Sequence, residues 1–294
     1  MENEKNEKKF LLKSHPEVEL VKIEGNLEDL KELMKEKTHG GSPKAWLQLG
    51  FTGPLEFIDV EYTVKCSRVC SHQIVRHRIG TSFIQHSGRF GDYSQVGDED
   101  SLTFIYPNSI LKNKEKREII ENTIRTAVDA YQKLKESNTP LEEARRVLPE
   151  SIQTYIIIKF NLRSLGNFLR QRLCAMAQPE IREVAIQMLY QLDWGLNELG
   201  WSKEEKKLLY TYLLPPCVTI KHCINNKPVN DIECIKNGIK KAIEEHGEVK
   251  SFDRKVEMRS IINLFEEFKN HDQDFKIREK RNEKNENEKI KNKS

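Results

Sequence analysis

The sequence predicts an α+β fold, a helix-rich domain around a small sheet, with a helical C-terminal extension. Two observations carry this. Apolar residues recur at three- and four-residue spacing over most of the chain, as on one face of a helix, and only two segments have the patterning of strands. The length of 294 residues allows a sizeable core in one main domain. Charged residues make up 32% of the chain, yet Lys+Arg 49 against Asp+Glu 46 leaves only +3. That balance argues against a general nucleic-acid or membrane binder, so any anion site must be local.

Residues 1–9 are polar, mixed in charge and without an apolar run, which reads as a tail with no secretory signal. Asn26 can N-cap a helix whose first turn holds Glu28 and Asp29, and Ser42-Pro43 marks another helix start. In FIDVEYTVKC, Ile58, Val60, Tyr62, Val64 and Cys66 alternate with Asp59, Glu61, Thr63 and Lys65, the period of a half-buried strand. SRVCSHQIVRHR follows as a helix, which would put Gln73, Arg76 and His77 on one face. A polar loop around Gly80 then leads to Ser87-Gly88-Arg89. Residues 114–136 carry Ile119, Ile120, Ile124, Ala127, Tyr131 and Leu134 at helical spacing.

A short helix after Thr139-Pro140 carries Glu142, Glu143, Arg145 and Arg146 and stops near Pro149. IQTYIIIKFNL reads as a second, more buried strand. Beyond it Ser164 can help cap a helix bearing Arg163, Asn167 and Arg172, and Pro179 opens a long helix ending near Gly200. Further helices are expected at about 230–246, opened by Asn230, and at about 253–269, in an extension spanning 218–270. Residues 271–294 are a charged tail, leaving 10–217 as the main domain. The longest membrane-like run, YIIIKF, is too short to span a bilayer, and the expected compartment is cytoplasmic.

The stretch RHRIGTSFIQHSGRF gathers Arg76, His77, Arg78 and Arg89 with Ser82 and Ser87. Guanidinium groups, hydroxyls and a glycine that admits close backbone approach suit a phosphorylated ligand. An exposed basic helix face with a turn is an equal reading of the same residues. Arg146 and Arg170 read first as surface ion-pairing residues. The six cysteines, Cys66, Cys70, Cys174, Cys217, Cys223 and Cys234, are spread along a long chain without secretory context, so free thiols are expected. Cys217, His222, Cys223 and Cys234 are of types that suit zinc, but their spacing matches no tight CxxC pair and no metal site is assigned. Cys66 and Cys70 read as core packing across a strand-to-helix junction.

Arg76-His77-Arg78 followed by Ser87-Gly88-Arg89-Phe90, then Ala144-Arg145, Leu148-Pro149, the block from Asn161 to Arg172 and the block from Ala177 to Ile181, resemble the flavin-dependent thymidylate synthase family. The similarity covers roughly 45–200. It implies a methyltransferase that reductively methylates dUMP to dTMP, with methylenetetrahydrofolate as carbon donor, FAD as redox carrier and NADPH as reductant. The resemblance would place Arg76, His77, Arg78, Ile79, Gly53, Glu56, Asn161, Arg163 and Asn167 at FAD. It would place Gln73, Arg76, Gln85, Ser87, Gly88, Arg89, Arg145 and Arg172 at dUMP, with Arg172 helping to activate the uracil ring. A homotetramer with inter-subunit sites is implied too.

This chain departs from the family pattern at several positions. Eight residues separate Arg78 from Ser87, one more than usual, and Gln85, Phe90, Phe57 and Met176 stand where Glu, Tyr, His and often His are found. Other readings weighed were a diverged FAD- and nucleotide-binding redox relative without dTMP synthesis and a nucleotide- or RNA-binding module. Pro216-Cys217 also looks like the nucleophile region of flavin-free thymidylate synthases, but Val218 stands in place of its His and none of that family's other motifs is present.

Overall fold

The computed structural model describes residues 10–25, 31–32, 35–36, 50–174 and 176–215. The helix starts at Asn26 and Ser42, the expected helices between 230 and 269, both tails, and Cys217, Cys223 and Cys234 lie outside the described residues.

Six strands are present among the described residues, where patterning had singled out two. Strands β2 (Glu17–Glu24), β3 (Asp59–Ser67), β6 (Gln153–Asn161) and β4 (Thr81–Gln85) form an antiparallel sheet in the order β2-β3-β6-β4. β1 (Phe10–Lys13) pairs in parallel with β5 (Leu102–Ile105) in a separate two-stranded sheet. The α-helices whose bounds fall within the described residues are α1 (Arg68–Ile74), α2 (Asn108–Leu111), α3 (Lys114–Glu136), α4 (Leu141–Ala144), α5 (Leu162–Arg172), α6 (Pro179–Glu198) and α7 (Lys203–Leu213).

The expected alternation fixes β3: Val60, Tyr62, Val64 and Cys66 are fully buried. Burying such a side chain contributes about 1.5–3 kcal/mol. A one-residue slip against β6 would turn all four to the other face, so the register is strongly specified. In β6 the three isoleucines do not make a strand buried on both faces. Ile156, Ile158 and Phe160 enter the core while Ile157 lies on the opposite, half-covered face, because the partner strands are antiparallel and only one face is packed by helices.

That core joins the sheet to α1, α5, α6 and α7, and Tyr62 spans it by donating from its hydroxyl to the Met188 carbonyl at 2.9 Å. α6 also holds β2: Gln191 Nε2 donates to the Val18 carbonyl at 2.7 Å and Gln187 Oε1 accepts from the Val18 N–H at 3.1 Å. A second core under α3 gathers Phe104, Ile124, Val128 and Tyr131, so the buried stripe of α3 runs through 124, 128 and 131 and leaves Ile119 exposed, against expectation.

Candidate active site

Two strand-to-helix junctions build the site. β3 passes into α1 at Ser67, whose hydroxyl caps the helix by accepting from the Cys70 N–H at 3.1 Å. β6 passes into α5 at Asn161, whose Oδ1 accepts from the Ser164 N–H at 2.8 Å. Asn161, and not Ser164, is therefore the cap. α1 is also shorter than expected and ends at Ile74, which leaves Arg76 in a turn and His77 beyond it. Gln73, Arg76 and His77 therefore share no helix face.

His77 and Gln73 are brought together instead by the last residue of α5. Arg172 Nε donates to His77 Nε2 at 3.1 Å, and its Nη1 and Nη2 donate to the Oε1 and the carbonyl of Gln73, both at 3.4 Å. The Gln73 amide nitrogen in turn donates to Gln178 Oε1. Burial lowers the pKa of His77, and the Arg172 charge adds to this, bringing it to about 4, so the ring is neutral near pH 7. Burial also shifts the Arg172 pKa downward, although a guanidinium stays charged. The imidazole stacks edge-on against Phe168 at 4.9 Å.

The chain reverses at Ile79-Gly80 and enters β4, so part of the expected polar loop is a strand. Gly80 has φ +63°, and a Cβ there would overlap Ser164 Oγ and Asn161 Nδ2. Only glycine allows this close approach, across which the Asn161 N–H reaches the Gly80 carbonyl at 3.0 Å. Gln85 lies on β4 with its amide donating to Ser71 Oγ at 2.9 Å and Thr154 Oγ1 at 3.3 Å.

Ser87 and Arg89 are exposed at the following turn, while Gly88 is buried, and a Cβ on it would come within 2.7 Å of Tyr93 Cζ. Arg89 pairs with Glu142 at 2.5 Å, and Glu142 lies on α4, three residues before the half-buried Arg145. The exposed Phe90 ring lies beneath the Arg89 guanidinium, 5.0 Å from its centre.

Arg163 lies at the other end of α5, about 14 Å along its axis from Arg172. Arg163 pairs with Glu56, and Tyr212 of α7 donates to the Arg163 carbonyl at 2.9 Å and to Asn167 Oδ1 at 3.4 Å. Gly53 and Glu56 belong to the 3₁₀ turn Gly53–Phe57 that precedes β3. Arg76 and Arg78 are exposed, as is Ile79 at 86%. Cys66 and Cys70 are buried free thiols, in line with core packing.

Gln178, Tyr212 and Glu142 were missed as site residues. Gln178 stands inside the block from Ala177 to Ile181 that carries part of the resemblance, and α7 is announced by its capping box, Ser202 with Glu205. Nothing local in the sequence marks Glu142.

The arrangement offers a guanidinium held from two sides, a neutral imidazole, and two exposed guanidiniums next to an exposed apolar side chain. Such a donor set fits a ligand with an anionic part and a planar ring, and the flavin of the resembling family has both. A family model described as Thymidylate synthase complementing protein, Thy1, matches residues 13–193. The chain is 36% identical over 180 residues to a flavin-dependent thymidylate synthase of Thermococcus onnurineus, covering 60% of this chain and 69% of that one. It is 35% identical over 204 residues to one of Pyrococcus furiosus, covering 66% and 76% respectively. Two solved structures of a UMP/dUMP methylase, PolB, from Streptomyces cacaoi share the fold at 22% identity. The one with bound 5-Br dUMP has a TM-score of 0.52 over 60% of this chain and 90% of that one, and the one with 5-Br UMP has 0.56 over 71% and 100%.

Proposed function

Because this chain belongs to the flavin-dependent thymidylate synthase family, we propose that its site methylates dUMP to dTMP, with Arg172 at the pyrimidine. The observation that carries the residue assignment is the Arg172 guanidinium held between Gln73 and His77 where α1 and α5 meet. FAD, when bound, supplies the redox chemistry, with NADPH as reductant and methylenetetrahydrofolate as carbon donor.

The chain's own residues bind, orient and stabilise. The C5 carbon of uracil is a poor nucleophile, and a fixed cation at the pyrimidine edge stabilises negative charge developing on the ring. A neutral His77 accepts one of Arg172's hydrogen bonds without adding a competing positive charge. Arg76 and Arg78 offer guanidinium forks for the FAD diphosphate, with Ile79 as an apolar neighbour. Asn161 retains its amide donor after capping α5, and Arg163, Asn167, Gly53 and Glu56 are likewise assigned to the cofactor.

Ser87, Gly88, Arg89 and Arg145 are assigned to the dUMP phosphate, and Gln73, Arg76 and Gln85 to the same nucleotide. Arg89 must leave Glu142 to do so, and an exposed pair of this kind is worth only about 1 kcal/mol or less. The catalytic domain is taken as 10–217, working as a homotetramer with sites between subunits. Large apolar side chains that stand more than half exposed beside site residues, Phe57, Ile79, Ile84 and Phe90, support that reading.

Arg172→Ala is expected to lower dTMP formation by about 10²–10³ while leaving the fold intact. Wild-type turnover in that variant would refute the role assigned to Arg172. Saturable perturbation of a bound-flavin absorption spectrum by dUMP tests whether both ligands share the site.

A further inference from the structure

Gln178 occupies the position just before α6, where a side chain ordinarily caps the helix, yet it makes no capping bond. Its carboxamide oxygen accepts from the Gln73 amide instead. Two residues on, Glu180 accepts from the Ser67 N–H at 2.7 Å and from the Ser67 hydroxyl at 2.6 Å. The start of α6 thus grips α1 at both ends, at its N-cap by Glu180 and at its last turn by Gln178.

The hydrogen bonds that begin at Gln178 have a fixed polarity. A guanidinium only donates, so Arg172 requires the Gln73 oxygen on its own side, which turns the Gln73 NH₂ toward Gln178. For the same reason His77 Nε2 must be the acceptor for Arg172 Nε, and the ring proton is left on Nδ1. Each member fixes the orientation of the next. The donor-only guanidinium constrains Gln73 from one side, and the Gln178 oxygen, accepting from its NH₂, holds it from the other.

We propose that Gln178 is a positioning residue whose side-chain oxygen sets the amide orientation of Gln73, and through it the Arg172 guanidinium and the Nδ1–H tautomer of His77. The proposal rests on the reading of Arg172 as the group at the pyrimidine. In this role Gln178 acts through Gln73 and not on substrate or cofactor directly.

The test separates polarity from packing. Gln178→Met keeps the length and removes the acceptor, whereas Gln178→Glu keeps the acceptor and removes the donor. The expected result is a loss of about 10² in kcat for Gln178→Met, as for a small misplacement of a catalytic group, with an unchanged melting temperature and with activity retained in Gln178→Glu. Equal damage in both variants, or none in Gln178→Met, overturns the proposal.

A second readout needs neither cofactor nor turnover. Magic-angle-spinning ¹⁵N spectra of histidine-labelled full-length protein, with the His77 signal identified by its loss in His77→Asn, should show a single Nδ1–H tautomer in the wild type and a mixture in Gln178→Met. An Nε2–H signal in the wild type, or the same tautomer in both proteins, overturns the proposal as well. If the wild type forms no dTMP, the functional reading fails, and the tautomer measurement still decides the role of Gln178.

Discussion

Protonating His77 would bury a positive charge beside the Arg172 guanidinium, and those two penalties bring its pKa from 6.5 to about 4. Between these values the unfolded chain binds a proton that the folded one refuses. The stability due to the neutral ring is therefore present above pH 6.5 and is lost as pH falls toward about 4. Denaturant titrations across that window should show wild type losing its stability relative to His77→Gln as the solution is acidified; a pH-independent difference would contradict the environment described. Gly80 is a second sensitive residue. With φ +63° and no room for a Cβ, Gly80→Ala is expected to cost about 1–3 kcal/mol, read as a lower melting temperature. An unchanged melting temperature would mean that the turn can relax. Neither property was legible in the sequence, since the Arg-His-Arg stretch shows which groups are present but not that Arg172, 95 positions away, lands on His77.

Among the elements, α1 depends on a carboxylate from another helix. Burial raises the pKa of Glu180, and neighbouring Glu183 pushes it the same way, while the two Ser67 donors offset part of the effect. Glu180→Ala would leave the Ser67 N–H and hydroxyl unpaired in the interior. It is expected to cost about 2–3 kcal/mol, with α1 amides losing hydrogen-exchange protection before those of α3. Unaltered protection in α1 would show that its own cap suffices. The long helices α3 and α6 and the strand β3 were readable because each repeats one period over many residues. β1, β2, β4 and β5 were missed for the opposite reason. They are short or largely exposed, and β4, with Phe83 against the core and Ile84 69% exposed, passes for a polar loop.

Across the molecule, β4 is one edge of the four-stranded sheet among the described residues, and site residues lie both on it and on the turns around it. An edge strand carrying an exposed Ile84 is poorly suited to remain uncovered. If the sites form between subunits, sedimentation should give a tetramer, and Ile84→Glu should shift it to smaller species and reduce dTMP formation together. A monomeric, fully active wild type would refute that arrangement. The paired motifs, their order and the long periodic elements were set by the sequence alone, because they depend on residue type and on spacing along one chain. The tertiary structure decided the rest: that α1 stops at Ile74, that Asn161 caps α5, that Arg172 closes on Gln73 and His77, and that Gln178 stands behind them. Those outcomes depend on the relative placement of α1, α5 and α6 on the sheet. That placement is fixed by burial of the shared core, which no local pattern encodes.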